Sequence, residues 1–495
     1  MLGTTAEEKG TIQMSDILTR VTTARIYPAI GIARVGNSPS EFWIGPERVG
    51  ETSAPKGGFK DAQGRIKRQA ARFRIFGYDN EGHLVQEITQ KDASITWTVH
   101  LANKKAAFKQ FKGLDANRPL RNAAVRNRAS LVIDPGPRRV GPHQSASFDT
   151  GTFMGQRVPL GDIRTDEDGR LIVLGGFGDS KSPAGKALPN YANNNGWYDD
   201  VSDGPVSAQV RINGTTTEIT AAGAWVIVGP PDFAPPVGTT TTLYDTLVQK
   251  TVRASGFKVP ERPSFTKDIY PILARTVALK WVSEAAGDFH DFLSSLIPPP
   301  GDPDLRSAVF KRLRHPSSGS GGDMPKLLSD TEEENETVTE VQHAMMKKWS
   351  DGDFVNDWKG SPVDPEITPE GLTRAALDTC VGGPFYPGIE AGWLLRDVYT
   401  CSEPFRLDHT HVEAGDVTKQ MALPWQADFY DCQSEGDFGW WPSQRPDAVF
   451  PETGGPQVPW TRDLVNSKKD MVEHWWELGI VAARGDRCVE TERKR

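Results

Sequence analysis

The chain has 495 residues, 65 acidic against 57 basic side chains, a formal net charge of −8 and only 4 Cys. That length exceeds one ordinary hydrophobic core and predicts two or three units, while an acidic balance with scattered Lys and Arg, apart from the terminal Arg493-Lys494-Arg495, argues against a nucleic-acid partner. No apolar run approaches the roughly 20 residues that cross a bilayer, the start Met1-Leu-Gly-Thr-Thr-Ala-Glu-Glu-Lys lacks the basic end and apolar stretch of an export signal, and four cysteines without a C-x-x-C pair do not make a disulfide scaffold; a protein of the cytoplasm, or one released without a classical signal peptide, is expected, with no membrane partner.

Residues 1 to about 20 read as a lead without a fold of their own. Order is expected from Ile26, where Ile30, Ile32 and Val35 supply the apolar content of a strand ending at Gly36-Asn37-Ser38, and a second strand holds Phe42-Trp43-Ile44. From Arg72 to Val99 the apolar residues recur with period two (Phe73 and Ile75, then Ile95, Trp97 and Val99), with Asn80-Glu81-Gly82 as a turn, the pattern of antiparallel sheet. Leu131-Val-Ile133, Leu171-Ile-Val-Leu174 and Trp225-Val-Ile-Val228 each run into Gly or Pro and are predicted as short buried strands. Asn213-Gly214 marks a hairpin. Two motifs in this half are declined. Gly175-Gly-Phe-Gly178 leads into Asp179-Ser-Lys-Ser-Pro183 without phosphate-loop spacing. Asp199, Asp200 and Asp203 lack the ligand spacing of a calcium loop and read as a hydrogen-bonded turn.

After Pro235-Pro236 the period turns helical. Helices are predicted over Leu243–Val252, Asp268–Trp281 and Leu305–Leu313. A capping box at Thr331-Glu-Glu-Glu334 is expected to start a helix faced by Val338, Val341, Met345 and Trp349. Thr368-Pro369-Glu370 opens another helix, faced by Leu372, Ala376 and Cys380 and stopped by Gly382-Gly383. Cys380 is then either a small core residue or part of a pocket wall or redox pair. His409-Thr-His411 alternates as a strand would, placing both imidazoles on one side near Asp408 and Glu413. A two-His, one-carboxylate metal centre is one reading of that pattern, and no metal is assigned to it.

The scarcest residue types meet near the end of the chain. Cys432 stands 8 positions before Trp440 and 9 before Trp441, with Asp428 four positions before the cysteine, one helical turn away. A thiolate is reactive only where a base or positive charge keeps it ionised; the plain alternative is an aromatic core turn with one inert buried Cys.

The blocks Cys380-Val-Gly-Gly-Pro-Phe-Tyr-Pro-Gly-Ile-Glu390, Pro424-Trp-Gln-Ala-Asp-Phe-Tyr-Asp-Cys432 and Trp440-Trp-Pro-Ser-Gln-Arg-Pro446, in that order, resemble the cysteine tryptophylquinone (CTQ) amino-acid oxidases, the family that includes lysine ε-oxidase and glycine oxidase. Ile26-Tyr-Pro-Ala-Ile-Gly-Ile-Ala-Arg-Val-Gly-Asn-Ser38 and Asn193-Asn-Asn-Gly-Trp-Tyr-Asp-Asp-Val-Ser-Asp-Gly-Pro205 look familial as well, so the resemblance covers most of the chain. It implies a thioether from Cys432 to an oxidised tryptophan, Trp441 in preference to Trp440, with Asp428 as the base in its formation and a flavoprotein as maturation partner. It also implies that a primary amine of an amino acid or related substrate is oxidised, Asp428, His409 or His411 taking the α-proton, with O2 reduced to H2O2 and ammonia released. Tyr191 and Tyr198 are the pocket residues the resemblance implies, Cys380 and Tyr430 join them as candidate pocket residues, and a homo-oligomer is expected. The chain departs from the family's better-known members in being shorter and in its short Cys-to-Trp spacing. The fold class expected is α+β: a β-rich domain over 1–240, a mainly helical region over 241–360 and a loop-rich, CTQ-bearing region over 361–495. The alternatives are a metal-dependent oxygenase using His409 and His411, and a catalytically silent scaffold.

Overall fold

The computed structural model describes residues 18–52, 54–111, 117–255, 259–287, 290–318, 320–324, 338–382, 395, 400–431 and 444–494. Thirteen strands form one sheet: β1 Thr23–Tyr27, β2 Ile30–Arg34, β3 Phe42–Ile44, β4 Arg68–Tyr78, β5 Leu84–Ile88, β6 Ala93–Val99, β7 Arg138–Val140, β8 Ser145–Ser147, β9 Asp162–Thr165, β10 Leu171–Leu174, β11 Ser202–Ile212, β12 Ile219–Thr220 and β13 Ala224–Gly229. The main path runs β7-β6-β11-β13-β2-β4-β10-β9-β8, with β1, β3 and β5 on β4 and β12 on β11. Most neighbours are antiparallel, but β13 runs parallel to β2, setting Trp225 opposite Ile30 and Val228 opposite Ala33.

Alternation decides which side of the sheet each residue serves. Along β6 the burial strictly alternates from Ala93 to Trp97, with Ile95 and Trp97 inside and Ser94 and Thr96 outside. In β13, buried throughout, Val226 and Val228 face the larger core, whereas Trp225 and Ile227 face a second core shared with Ile30 and Ile32. Two helices close that second core: α1, Leu243–Ser255, through Leu243 and Leu247, and α5, Pro369–Leu377, through Ala376 and Leu377. Between them in the chain lie α2, Tyr270–Ala278, α3, Pro303–Lys311, and α4, Glu340–Ser350, around an apolar centre of Phe265, Leu273, Met346 and Trp349. After a hairpin of β14, Cys401–Glu403, and β15, Arg406–Leu407, come α6, Trp425–Asp431, and α7, Lys468–His474. A hairpin of β16, Ile480–Arg484, and β17, Arg487–Thr491, ends the described chain. This is the mixed α+β architecture expected, β-rich in its first half. No helix among the described residues is long and apolar enough to cross a membrane.

Several local expectations change. Leu131 ends a 3-10 turn, Arg128–Leu131, and only Ile133 pairs, with Asn103, so the predicted strand there is a turn and a single bridge. The Asn213-Gly214 hairpin exists, Gln209 and Val210 pairing with Thr220 and Ile219, but over a longer loop than a two-residue turn. Thr331–Glu334 lies outside the described residues; α4 begins after Thr339, whose hydroxyl accepts from Gln342 N while the Gln342 side chain accepts from Thr339 N. That capping box satisfies two amide donors at the helix start. Thr368 caps α5 as predicted, its hydroxyl accepting from Gly371 N (3.0 Å), with Pro369 at the first helical position.

Candidate active site

Asp428 lies on α6 and is buried, 1% exposed. The helix is held by its aromatic residues: the Trp425 ring meets Phe429 at 4.9 Å and Trp475 at 5.4 Å, and Phe429 meets Phe233 at 6.1 Å. At its far end the Tyr430 hydroxyl donates to Asn466 O (2.6 Å) and Asp431 pairs with Lys468 at 2.9 Å. Tyr430 is thus engaged by the segment leading into α7. Cys432, Trp440 and Trp441 lie outside the described residues. The chain beyond them is tied back to α6: Arg445 Nε donates to Phe429 O, and the Arg445 guanidinium lies over the Trp460 ring at 5.3 Å. The described residues on either side, Asp431 and Arg445, thus both lie at the C-terminal turn of α6. Asp428 stands four positions before Cys432 in the sequence.

A cavity of about 1170 Å³ opens beside this junction, lined by Cys380, Gln444, Asp232, Tyr244, Arg374 and Asp378 among others. Val381 and Gln444 both line it, close to where the described chain stops at 382 and resumes at 444. Sequence-distant segments meet here through the backbone, Phe233 N donating to Gln444 O at 3.0 Å. Gln444 Nε2 donates to Thr379 O (2.6 Å), as does Arg34 Nη2 (2.7 Å). Gln444 Oε1 is buried without a partner, whereas the Asp232 carboxylate stays 3.9 Å from Arg34. Burial holds the Asp232 carboxyl above its ordinary pKa, and Arg34 opposes that shift. Further along the wall Arg275 pairs with Asp245 at 3.0 Å, and Arg374 with Asp378 at 3.3 Å, one helical turn apart. The Arg374 guanidinium covers the Tyr244 ring at 4.9 Å. Paired opposite charges along the wall suit a zwitterionic or amphipathic guest better than a strongly anionic one.

Cys380 sits just past the end of α5, wholly buried, and burial pushes its thiol up to about 11. It stays protonated at neutral pH, so its place is in the wall rather than as a nucleophile. Tyr198 is buried against Phe153 at 5.4 Å, its hydroxyl pushed up to about 12 by burial, and half-buried Tyr191 packs edge-on against Phe111 at 6.3 Å. Neither is among the described residues of the cavity wall. His409 and His411 occupy a turn after β15, not a strand. His409 packs on Trp225 at 5.4 Å, the surrounding protein holding its imidazole below the usual pKa, while His411 is exposed and bonded to Asp408 at 3.0 Å. The turn forms because Asp408 accepts from Thr410 N (2.8 Å) and the Thr410 hydroxyl (2.6 Å), a local competition that breaks strand geometry. The two imidazoles therefore take separate partners.

Asp203 behaves as a hydrogen-bonding hub. Its carboxylate accepts from Trp225 Nε1 (3.0 Å), Val417 N (3.2 Å), Thr418 N (2.8 Å) and the Thr418 hydroxyl (2.6 Å). Sequence reasoning missed Asp232, Tyr244, Arg374, Asp378 and Gln444. The i, i+4 spacing of Arg374 and Asp378 was a readable signal; Asp232 and Gln444 meet only through folding.

The L-lysine ε-oxidase N-terminal family model matches residues 27–228, and the model of that family's C-terminal domain matches residues 318–460. The chain is 29% identical over 523 residues to L-lysine 6-oxidase of Marinomonas mediterranea, covering 82% of this chain and 70% of that one. A structure of the ε-lysine oxidase from the same organism superposes with a TM-score of 0.79 at 25% identity, and its Schiff base intermediate with L-Lys with a TM-score of 0.77 at 24% identity, each covering 95% of both chains. With both family domains present in order over more than half its length, the chain belongs to the L-lysine ε-oxidase family of quinoprotein amino-acid oxidases, oxidoreductases acting on CH–NH2 with O2.

Proposed function

We propose that this protein deaminates a primary amine of an amino acid or an amino-acid-derived substrate through a cysteine tryptophylquinone made from Cys432 and Trp441, or Trp440, reducing O2 to H2O2 and releasing ammonia. The observation that supports this reading is the buried Asp428 on α6, four positions before Cys432 in the sequence, on a helix whose Phe429 carbonyl accepts from Arg445 Nε. The quinone supplies the electron sink that no encoded side chain offers. The chain's own residues do the rest. Asp428, shielded from water, is the base placed to take protons while the cross-link forms and from the substrate carbon during turnover. The cavity beside Cys380 and Gln444 admits the substrate, with the Arg275–Asp245 and Arg374–Asp378 pairs holding its polar end and the Tyr244 ring its carbon chain. Maturation needs an outside oxidant, for which a flavoprotein partner is the expected source.

Peptide mass spectrometry tests this directly. Active protein should carry about 28 Da beyond its encoded mass, two oxygens gained and four hydrogens lost, on a linked peptide pair containing Cys432 and one of the two tryptophans. Cys432→Ala should be colourless and produce no H2O2 from amino acids, whereas Cys488→Ala, on the hairpin β16–β17 and outside the cavity wall, should keep both properties. Active protein with Cys432 and both tryptophans unmodified would overturn the assignment.

A further inference from the structure

The central block around residues 190–203 takes no part in the chemistry above, yet the segment leading into α6 is hydrogen-bonded to it at Val417, Thr418, Leu423 and Trp425. Asp203 holds Val417 and Thr418. Leu423 N donates to Ala192 O (2.8 Å), and Asn194 Nδ2 donates to Leu423 O (2.9 Å). Gln426, on α6 itself, donates from Nε2 to Gly178 O (3.0 Å) and accepts from the Ser180 hydroxyl (2.6 Å). Arg121 spans the two layers, reaching Asn193 Oδ1 (3.0 Å) and Met421 O (2.8 Å).

Asp199 makes the contact at the start of the helix. Its Oδ2 accepts from Trp425 N (3.2 Å), one of the amides that a helix leaves without an internal partner. The same oxygen lies 2.5 Å from Lys105 Nζ, and both side chains are fully buried. Asn103 Nδ2 completes the shell, donating to Asp199 Oδ1 (3.0 Å) and to Asp199 O (2.9 Å). Buried ion pairs gain little stability, because desolvation offsets their attraction. What this pair does supply is an acceptor that cannot move: the cation and the amide of Asn103 leave the carboxylate one position, with Trp425 N on its free side.

We propose that the Lys105–Asp199 pair is a positioning device for the cofactor-forming segment, fixing the first turn of α6 and through it the Asp428 carboxylate three residues later and the cysteine that follows the helix. The role given to Asp428 and Cys432 rests on the function proposed above; the central block's hold on α6 and the ion pair do not. Both partners act through α6 and neither touches substrate.

Two double variants separate position from stability. Lys105→Met with Asp199→Leu replaces the pair by apolar groups of similar size, which buried pairs tolerate, but removes the acceptor for Trp425 N. Lys105→Gln with Asp199→Asn removes both charges and keeps the acceptor for Trp425 N, the new NH2 replacing only the Oδ1 contact of Asn103 Nδ2, whose hydrogens still have Asp199 O and Val201 O as acceptors. In the apolar pair, amide exchange of the peptide 425–431 should quicken at least tenfold against an unchanged global unfolding midpoint, and the fraction of chains with the 28 Da cross-link should drop at least tenfold. The polar pair should stay within about threefold of wild type in both. If the apolar pair fails to fold, Asn103→Leu, which keeps the ion pair but frees the carboxylate, takes its place with severalfold faster exchange expected. Wild-type exchange of 425–431 in the folded apolar pair, or in its replacement, overturns the proposal. Exchange is read without any cofactor, so a wild-type chain lacking the cross-link would sink the oxidase chemistry and leave this comparison intact.

Discussion

Asp200, next to the proposed positioning residue, should make stability fall as pH rises. It is completely buried, its Oδ2 accepts from Phe177 N (2.5 Å) and Asp179 N (3.1 Å), and its Oδ1 has no partner. Burial, reinforced by the neighbouring Asp179 and Asp199 carboxylates, raises its pKa from 3.8 to about 8, against the two amide bonds that lower it. The folded protein therefore holds a proton here that the unfolded chain releases near pH 4. Its stabilising contribution is complete below about pH 4 and is lost as pH rises towards 8, at about 1.4 kcal/mol per unit. At pH 7 the cumulative loss is about 4 kcal/mol; at pH 4.5 it is about 1 kcal/mol. Asp200→Asn keeps the acceptor for Phe177 N and Asp179 N and never ionises, but it sets an NH2 where Oδ1 found no partner, at a cost of about 1–3 kcal/mol. The variant should therefore be more stable than wild type by about 1–3 kcal/mol at pH 7 and equal or less stable at pH 4.5. Urea unfolding midpoints of both proteins between pH 4.5 and 7.5 give the comparison. An advantage that does not grow with pH, or a variant less stable at pH 7, would refute the reasoning.

Asp428→Asn, nearly isosteric in its buried site, should lower amine-dependent O2 consumption by about 10²–10⁴-fold, the usual worth of a positioned acid or base, with the unfolding midpoint close to wild type; activity within tenfold of wild type would remove Asp428 from its role. Cys380, with its thiol held protonated to about pH 11, should resist iodoacetamide at pH 8 in the folded protein and react freely after unfolding. Peptide mapping that finds Cys380 alkylated at the unfolded rate would show that the cavity wall is open to solvent at that point.

What could be read ahead of folding was local periodicity and local caps. The period-two run ending at Ile95, Trp97 and Val99 became β6, with those residues inside. Thr368-Pro369 started α5, because the hydroxyl satisfies the Gly371 amide while Pro369, lacking an N–H, leaves one fewer donor to satisfy, and Cys380 falls just past its end. Where polar side chains had a choice of partners, the reading failed. Asp408 turned the His409-Thr-His411 run out of strand geometry, and Thr339 with Gln342 formed the cap of α4.

The sequence by itself determined the chemistry on offer: an unusual cysteine close before paired tryptophans, an aspartate one turn earlier, and blocks long and irregular enough to mark a family. Only the tertiary structure decided what holds that chemistry in place. The parallel pairing of β13 with β2, the meeting of Phe233 with Gln444, and the docking of the α6 segment on the central block all join residues far apart in the chain. Periodicity encodes which face of a strand or helix is apolar. It does not encode which distant donor a buried carboxylate will find, and that is settled only when packing has removed water as the competing partner.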